Sequence, residues 1–367
     1  MSQLHQVALS FLKGVGPTTA RAMLSYAGSA EAIFSASKSK LLKVPGVGEK
    51  TVALMDFKEA LAKAEAELKA IENKPIAPIF FTDSRYPKRL KNCNDAPILL
   101  YAKGNADLNV SRVISIVGTR NATVYGRDLC TQLVQELAEF DVLVVSGLAL
   151  GIDVAAHKEC VKQGMPTVGV LGHGLDMLYP SSNRATAEKM LEKGAWLSEY
   201  PLGVKPDAKN FPQRNRIVAG MADATVVIEA GIKGGALITA EIANSYNRDV
   251  FAFPGRVGDM YSEGCNFFIR HNKAQLLTCA ADLIWSLGWE KKESTKQIPQ
   301  QISLPLDLSS EEQLIFDILR QSNSPVAIDD LTIKTQLPTS MLAMSLLNME
   351  ISGYVRTLPG KMYVLSH

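Results

Sequence analysis

The chain has 367 residues, 47% of them hydrophobic and 21% charged, with a formal net charge of +2. Its length allows two or three domains around a large core, and its composition is ordinary for a soluble globular protein. Its five cysteines (Cys93, Cys130, Cys160, Cys265 and Cys279) are odd in number and scattered, with no CxxC, so buried reduced thiols are expected rather than a disulfide framework or a zinc site.

No stretch approaches the roughly 20 apolar residues of a membrane span. "MSQLHQVALSFLKG" lacks the basic region and long apolar run of a targeting signal, so a cytoplasmic protein is expected. The near-zero net charge neither demands nor excludes nucleic acid, because a local basic cleft can hide in a balanced total.

Residues 1–72 predict an all-helical unit ending in a long helix rich in Ala, Leu, Glu and Lys, "TVALMDFKEALAKAEAELKAIEN". Two turns, "GVGPTTA" at 14–20 and "VPGVGEKTV" at 44–52, place Gly-Val-Gly ahead of a helix start. This pattern looks like a pair of helix-hairpin-helix motifs, in which the following helix offers N–H groups to a phosphate. Arg21 and Lys50 are the cations close behind the two hairpins.

A proline-punctuated lead-in with short strands occupies 73–112. From 113 a β-α rhythm takes over, with apolar runs in "RVISIVG", "DVLVVSG", "PTVGVLG", "AWLSEY", "ATVVIEA" and "DVFAFPG". Helical patterns at 124–140, 151–164, 181–194, 215–222 and 235–247 separate them. Continuously apolar strands alternating with helices predict a parallel sheet covered on both faces, an extended Rossmann-like doubly wound α/β domain over 73–288.

Residues 289–306 are polar, carry two prolines and read as a linker. Residues 307–367 predict three helices and a hairpin, which resemble a winged helix. That unit holds four Lys/Arg against seven Asp/Glu, and its would-be recognition helix, 338–350, has no basic residue. A groove-reading helix needs donors for phosphates and base edges, so a protein-contact or structural role is expected there.

In a doubly wound sheet, ligands sit at the carboxyl ends of the strands. Those ends read Gly118-Thr119-Arg120, Ser146-Gly147, Gly172-His173-Gly174, Glu199-Tyr200-Pro201, Glu229-Ala230-Gly231 and Pro254-Gly255-Arg256. Glycines that admit a ligand to the backbone, ringed by Arg120, Lys209, Arg214, Arg216, Lys233 and Arg256, point to a phosphate-bearing ligand. Neither GxGxxG nor GxxxxGK[ST] is present, so nucleotide cofactors with those signatures find no support and no cofactor is expected. "KNFPQRNR" sets the aromatic Phe211 among cations, the combination that a single-stranded nucleic acid needs.

The ordered series "SIVGTRNATVYG", "VVSGLALGIDVAAH", "VGVLGHGLDMLYPSSN", "LSEYPLGVKPDAKNFPQRNRIVAG", "VIEAGIKGGALITAEIA" and "VFAFPGRV" resembles the DprA (DNA processing protein A, Smf) family over roughly 75–288. The resemblance implies a non-catalytic mediator that binds single-stranded DNA and loads RecA recombinase during natural transformation. It also implies a homodimer through the Rossmann-like domain.

Carried onto this sequence, the DNA site would use Gly118, Thr119 and Arg120, then Gly147, then Lys209, Phe211, Arg214, Asn215 and Arg216, and finally Lys233, Gly234 and Gly235. Arg120 would grip a phosphate and Phe211 lie against a base or sugar. Of Arg214 and Arg216, one would face DNA and the other anchor the loop on a carboxylate such as Glu199 or Glu229. Relative to the family pattern, Thr119 and Gly234 stand where Ser is frequent, and Leu150 where Arg is frequent.

A second function class competes. "GGALITAE" at 234–241 resembles the GGxGTxxE element of phosphoribohydrolases that split nucleoside monophosphates, with Thr239 and Glu241 in part of that spacing and Ile238 where a glycine belongs. His157 and His173, near Asp153 and Asp176, match no standard metal spacing, and no metal is expected.

Overall fold

The computed structural model describes residues 3–289, 308–322, 326–358 and 362–365. The expected linker beyond Trp289 and the Pro-Gly hairpin tip lie outside the described residues. The chain divides into two units, Met1–Lys292 and Glu293–His367.

The first unit opens with six helices: α1 (Gln3–Ser10), α2 (Pro17–Ala27), α3 (Ala30–Phe34), α4 (Lys38–Leu41), α5 (Glu49–Leu54) and α6 (Phe57–Ile71). The second glycine of each Gly-Val-Gly turn, Gly16 and Gly48, caps the helix that follows, and Pro17 stands in the first turn of α2, where a missing N–H costs nothing. Helix α6 starts on the Asp56 carboxylate, which accepts from Glu59 N at 2.9 Å, and buries Ala60, Ala64 and Ile71. The core of this head does not close on itself. Val7, Leu9, Met23 and Ile33 belong to one buried cluster with Ile76, Phe80, Leu178 and Trp196 of the sheet region.

Nine strands form the main sheet: β1 (Ile76–Phe80), β2 (Leu99–Gly104), β3 (Val113–Gly118), β4 (Leu143–Ser146), β5 (Thr167–Leu171), β6 (Ala195–Ser198), β7 (Ala224–Ile228), β8 (Asp249–Ala252) and β9 (Gln275–Leu276). Their order is β1-β2-β6-β5-β4-β3-β7-β8-β9. Strands β3 to β9 pair in parallel, while β1 and β2 add an antiparallel hairpin beyond β6. All six expected parallel strands are present, each with residues buried as a sheet covered on both faces requires.

The short α7 (Lys88–Lys91) lies in the lead-in. The helices between and after the parallel strands are α8 (Val124–Leu137), α9 (Ile152–Gln163), α10 (Arg184–Met190), α11 (Asn210–Met221), α12 (Gly235–Ser245), α13 (Glu263–Arg270) and α14 (Ala280–Ser286). Two differ from expectation. The 181–194 helix is only a 3-10 turn, Ser181–Asn183, and the seven residues of α10. Helix α11 begins at 210 rather than 215, because Pro212 falls in the first turn, where it is tolerated.

The second unit contains α15 (Ser310–Gln321), β10 (Val326–Ala327), α16 (Ile328–Thr335), α17 (Thr339–Ile351), β11 (Val355–Leu358) and β12 (Met362–Leu365), with strand order β10-β12-β11. Ser309 and Glu312 make a reciprocal capping box at the start of α15. Ile315, Leu331, Leu342 and Leu346 form its core. This is the winged-helix arrangement, with a third short strand the sequence does not signal.

Candidate nucleic-acid interface

From β3 the chain winds through β4 and β5 to β6 on one side, then returns to lay β7 and β8 on the other. The reversal leaves a crevice above the carboxyl ends of β3 and β7, the place where doubly wound sheets bind ligands. A cleft of about 690 Å³ opens there. Nine of the twelve expected site residues line it: Gly118, Thr119 and Arg120 after β3; Gly147 after β4; Phe211, Arg214 and Asn215 on α11; and Gly234 and Gly235 at the start of α12. Lys209, Arg216 and Lys233 do not.

The two arginines of α11 take opposite sides of the helix, as two-residue spacing at 3.6 residues per turn requires. Arg214 is almost completely buried. Its Nη1 donates to Gly147 O at 2.5 Å and to Val170 O, above the ends of β4 and β5. A Cβ at Gly147 would stand 2.5 Å from that nitrogen and 2.6 Å from Asp153 Oδ2, so glycine here makes room for a protein cation. Burial pulls Arg214 down to about 10, against the opposing charge of Asp153; it remains charged at neutral pH. Asp153 in turn accepts from Gly147 N at 3.1 Å and Ala149 N at 3.3 Å.

Arg216 pairs with Glu199, both side chains being largely buried. Of the two carboxylates expected as anchors, Glu199 is the one used. Glu229 has another task. At φ 52° it turns the end of β7 and accepts from Thr123 N at 2.9 Å and from Thr123 Oγ1, fixing the start of α8. Its carbonyl accepts from Thr119 N at 2.7 Å. Neither arginine of α11 is therefore a freely exposed cation.

The exposed charge at the mouth is Arg120, whose guanidinium carbon lies 5.9 Å from the centre of the Phe211 ring. Phe211 is half-buried, and a Cβ at Gly172 would approach its ring edge to 3.1 Å. Beside it stands Tyr179, with ring centres 6.0 Å apart and planes 27° apart. Tyr179 lines the cleft and is not among the candidates that the sequence offers; its signal is an aromatic in the loop "GLDMLYPSSN" after a strand end. Lys209, Lys233 and Arg256 are exposed around this crest. Asn215 Nδ2 reaches Gly235 O at 3.5 Å, tying α11 to α12.

The phosphoribohydrolase pair does not form. Thr239 lines the cleft, but Glu241, two residues along α12, pairs instead with Lys273 at 2.6 Å and is not among the lining residues. His157 is buried with Nδ1 2.7 Å from Thr167 Oγ1, and burial lowers it to about 3. His173 Nδ1 lies 2.9 Å from Gly174 O. Among the described residues, no group of three His, Cys, Asp or Glu is placed to hold a metal. In the head, Arg21 is committed to main-chain carbonyls, donating from Nη1 to Cys93 O at 2.5 Å and Asn94 O at 3.0 Å, and from Nη2 to Lys91 O.

The family described as DNA recombination-mediator protein A matches residues 77–288, more than half the chain and the whole of the parallel sheet. The chain belongs to this family. A SAM-like helix-hairpin-helix tandem matches residues 7–55 of this DprA-family chain, and the DprA winged helix domain matches 300–361. Protein Smf of Synechocystis is 33% identical over 98% of both chains. The DNA processing protein DprA of Streptococcus pneumoniae is 40% identical over 55% of this chain and 71% of its own. Its solved structure superposes with a TM-score of 0.68 at 32% identity, covering 79% of this chain and 99% of that one. A structure of DNA processing protein A from Helicobacter pylori, titled for its single-stranded DNA binding mode, matches with a TM-score of 0.54 at 28% identity, over 59% and 97%. Among the described residues, no helix is long and apolar enough to cross a membrane.

Proposed function

We propose that the crest cleft binds single-stranded DNA and that the chain is a recombination mediator that loads RecA onto the bound strand during natural transformation. The observation that carries this reading is the Arg120–Phe211–Tyr179 group at the mouth of the switch-point cleft. It joins a cation for the phosphodiester chain to aromatic rings for unpaired bases. Lys209, Lys233 and Arg256 supply further exposed charge along the same crest. Arg214 and Arg216 act differently: they fix α11 against β4, β5 and Glu199, so that the rings and Arg120 meet a strand already positioned. The Helicobacter pylori relative's title, naming a single-stranded DNA binding mode, supports the same ligand. The working form is a homodimer through the Rossmann-like domain, in the cytoplasm. No observation favours the hydrolase reading, since Glu241 points to Lys273 and away from the cleft lining.

The test is anisotropy of labelled oligo-dT against a duplex of equal length over a salt series. About four phosphate contacts give a log–log slope near −2.8, roughly a fifty-fold loss between 50 and 200 mM salt. Tighter binding to the single strand that weakens in Arg120→Ala, with a shallower salt slope, establishes the site. Equal binding to duplex, or an unaffected variant, refutes it. RecA loading is then read as RecA filament formation on oligo-dT already covered by single-strand-binding protein, with and without this protein.

A further inference from the structure

We propose that Tyr179 is a base-stacking residue of the cleft, and that its ring rather than that of Phe211 presents the free aromatic face to an unpaired base. This inference rests on the single-stranded DNA reading above.

Three observations carry it. Phe211 is already engaged: Tyr179 is stacked beside its ring, the Arg120 guanidinium lies over it, and Gly172 seats its edge. Tyr179 is 53% exposed, at the cleft rather than on the outer surface. Its hydroxyl has no hydrogen-bond partner among the described residues, so no polar contact accounts for the ring, and the stack on Phe211 is its aromatic contact. The two rings lie at the separation of an offset stack. A base laid on the outer face of Tyr179 extends that stack by one member, while Arg120 stands at the Phe211 end to meet the backbone.

The ring is also held in place. Asn183, four residues on and nearly fully buried, donates from Nδ2 to Leu148 O at 2.9 Å and Ala149 O at 3.3 Å. Before it, Ser198 Oγ donates to His173 O at 2.6 Å, and Asp176 accepts from Gly203 N at 3.0 Å. The loop from 173 to 183 is thus tied to the β4–α9 connection and to the end of β6. A pre-positioned ring loses little freedom when a base lands on it, which is how a rigid site gains affinity. Stacking needs an unpaired base with an open face, so this position favours single strands over duplex independently of charge.

The test uses the full chain and two oligomers of equal length, oligo-dT and its abasic counterpart, each titrated at several salt concentrations. Wild type, Tyr179→Phe, Tyr179→Ala and Arg120→Ala are compared, with thermal unfolding confirming that each is folded. The expected result is that Tyr179→Ala weakens oligo-dT binding about ten-fold, within the span of one stacked base. It leaves the abasic oligomer and the salt slope unchanged, and Tyr179→Phe behaves as wild type. Arg120→Ala weakens both oligomers and lowers the slope by about 0.7, one phosphate contact. If Tyr179→Ala is neutral, or weakens both oligomers alike, the stacking role is wrong while the cleft reading stands on Arg120. If Arg120→Ala also leaves binding intact, the cleft itself is wrong and the proposal falls with it.

Discussion

Arg214 occupies the space that any side chain at residue 147 would need: a Cβ there would lie 2.5 Å from the guanidinium nitrogen that donates to Gly147 O. An arginine usually evades such a clash by swinging into solvent. This one is buried between the ends of two strands and held by two carbonyls, so it has nowhere to swing.

Gly147→Ala is therefore expected to destabilise the first unit by about 1–3 kcal/mol, the usual cost of overpacking a filled site. Urea denaturation measures it. A stability within about 0.5 kcal/mol of wild type would mean that Arg214 is free to move.

Arg216 and Glu199 form a pair with side chains only 14% and 15% exposed. Removing one partner leaves the other buried and uncompensated, so Arg216→Met or Glu199→Leu alone should cost about 3 kcal/mol. The double variant should cost clearly less than the sum of the two. Denaturation of all four proteins closes the cycle, and simple additivity would show that the pair is not coupled. The salt slope of DNA binding should not change in any of them that fold, because neither group lines the cleft.

His157 supplies a pH dependence of definite sign. Burial holds it near 3 in the folded state, below its ordinary value of 6.5. Between those values the unfolded chain binds the extra proton. Its contribution is thus complete above about pH 6.5 and falls by about 1.4 kcal/mol per pH unit as the medium is acidified. Burial raises the carboxyls Asp153 and Glu199, and they act in the opposite sense. The measurement is hence a difference: wild type minus His157→Leu, by denaturation at pH 6.5 and pH 5. The wild type should lose about 2 kcal/mol more than the variant over that interval. Parallel losses would contradict a buried neutral imidazole.

Glu241 pairs with Lys273 on an exposed surface, where such pairs contribute about 0–1 kcal/mol. Glu241→Gln should leave both stability and oligo-dT binding within two-fold of wild type. Release of a free base from a nucleoside monophosphate, abolished by this substitution, would instead restore the hydrolase reading.

The features legible in the sequence are those fixed by local chemistry. The six parallel strands stand out because a sheet covered on both faces demands uninterrupted Val and Ile runs. Gly16 and Gly48 mark helix starts, and Ser309 with Glu312 marks another. Glu199 as partner of Arg216 is also within reach, since one ends a strand where the other's helix begins. Less legible are features set by distant parts of the chain. Nothing near residues 76–104 says that β2 will pair antiparallel with β6. Arginine is most often a surface residue, so the depth of Arg214 depends on carbonyls at 147 and 170 that sequence spacing does not reveal. Tyr179 sits 32 residues from Phe211, and only the folded loop brings the rings together.

The core shared by the helical head and the sheet sets a schedule for the growing polypeptide. Val7, Leu9 and Met23 share one buried cluster with Trp196 and Leu178, which the ribosome adds more than 150 residues later. At roughly 5–20 residues per second, the head waits on the order of ten seconds or more with part of its apolar face uncovered. Synthesis therefore leaves the first-made segment among the last to be sealed, and it is there that a holdase chaperone has the longest opportunity to bind.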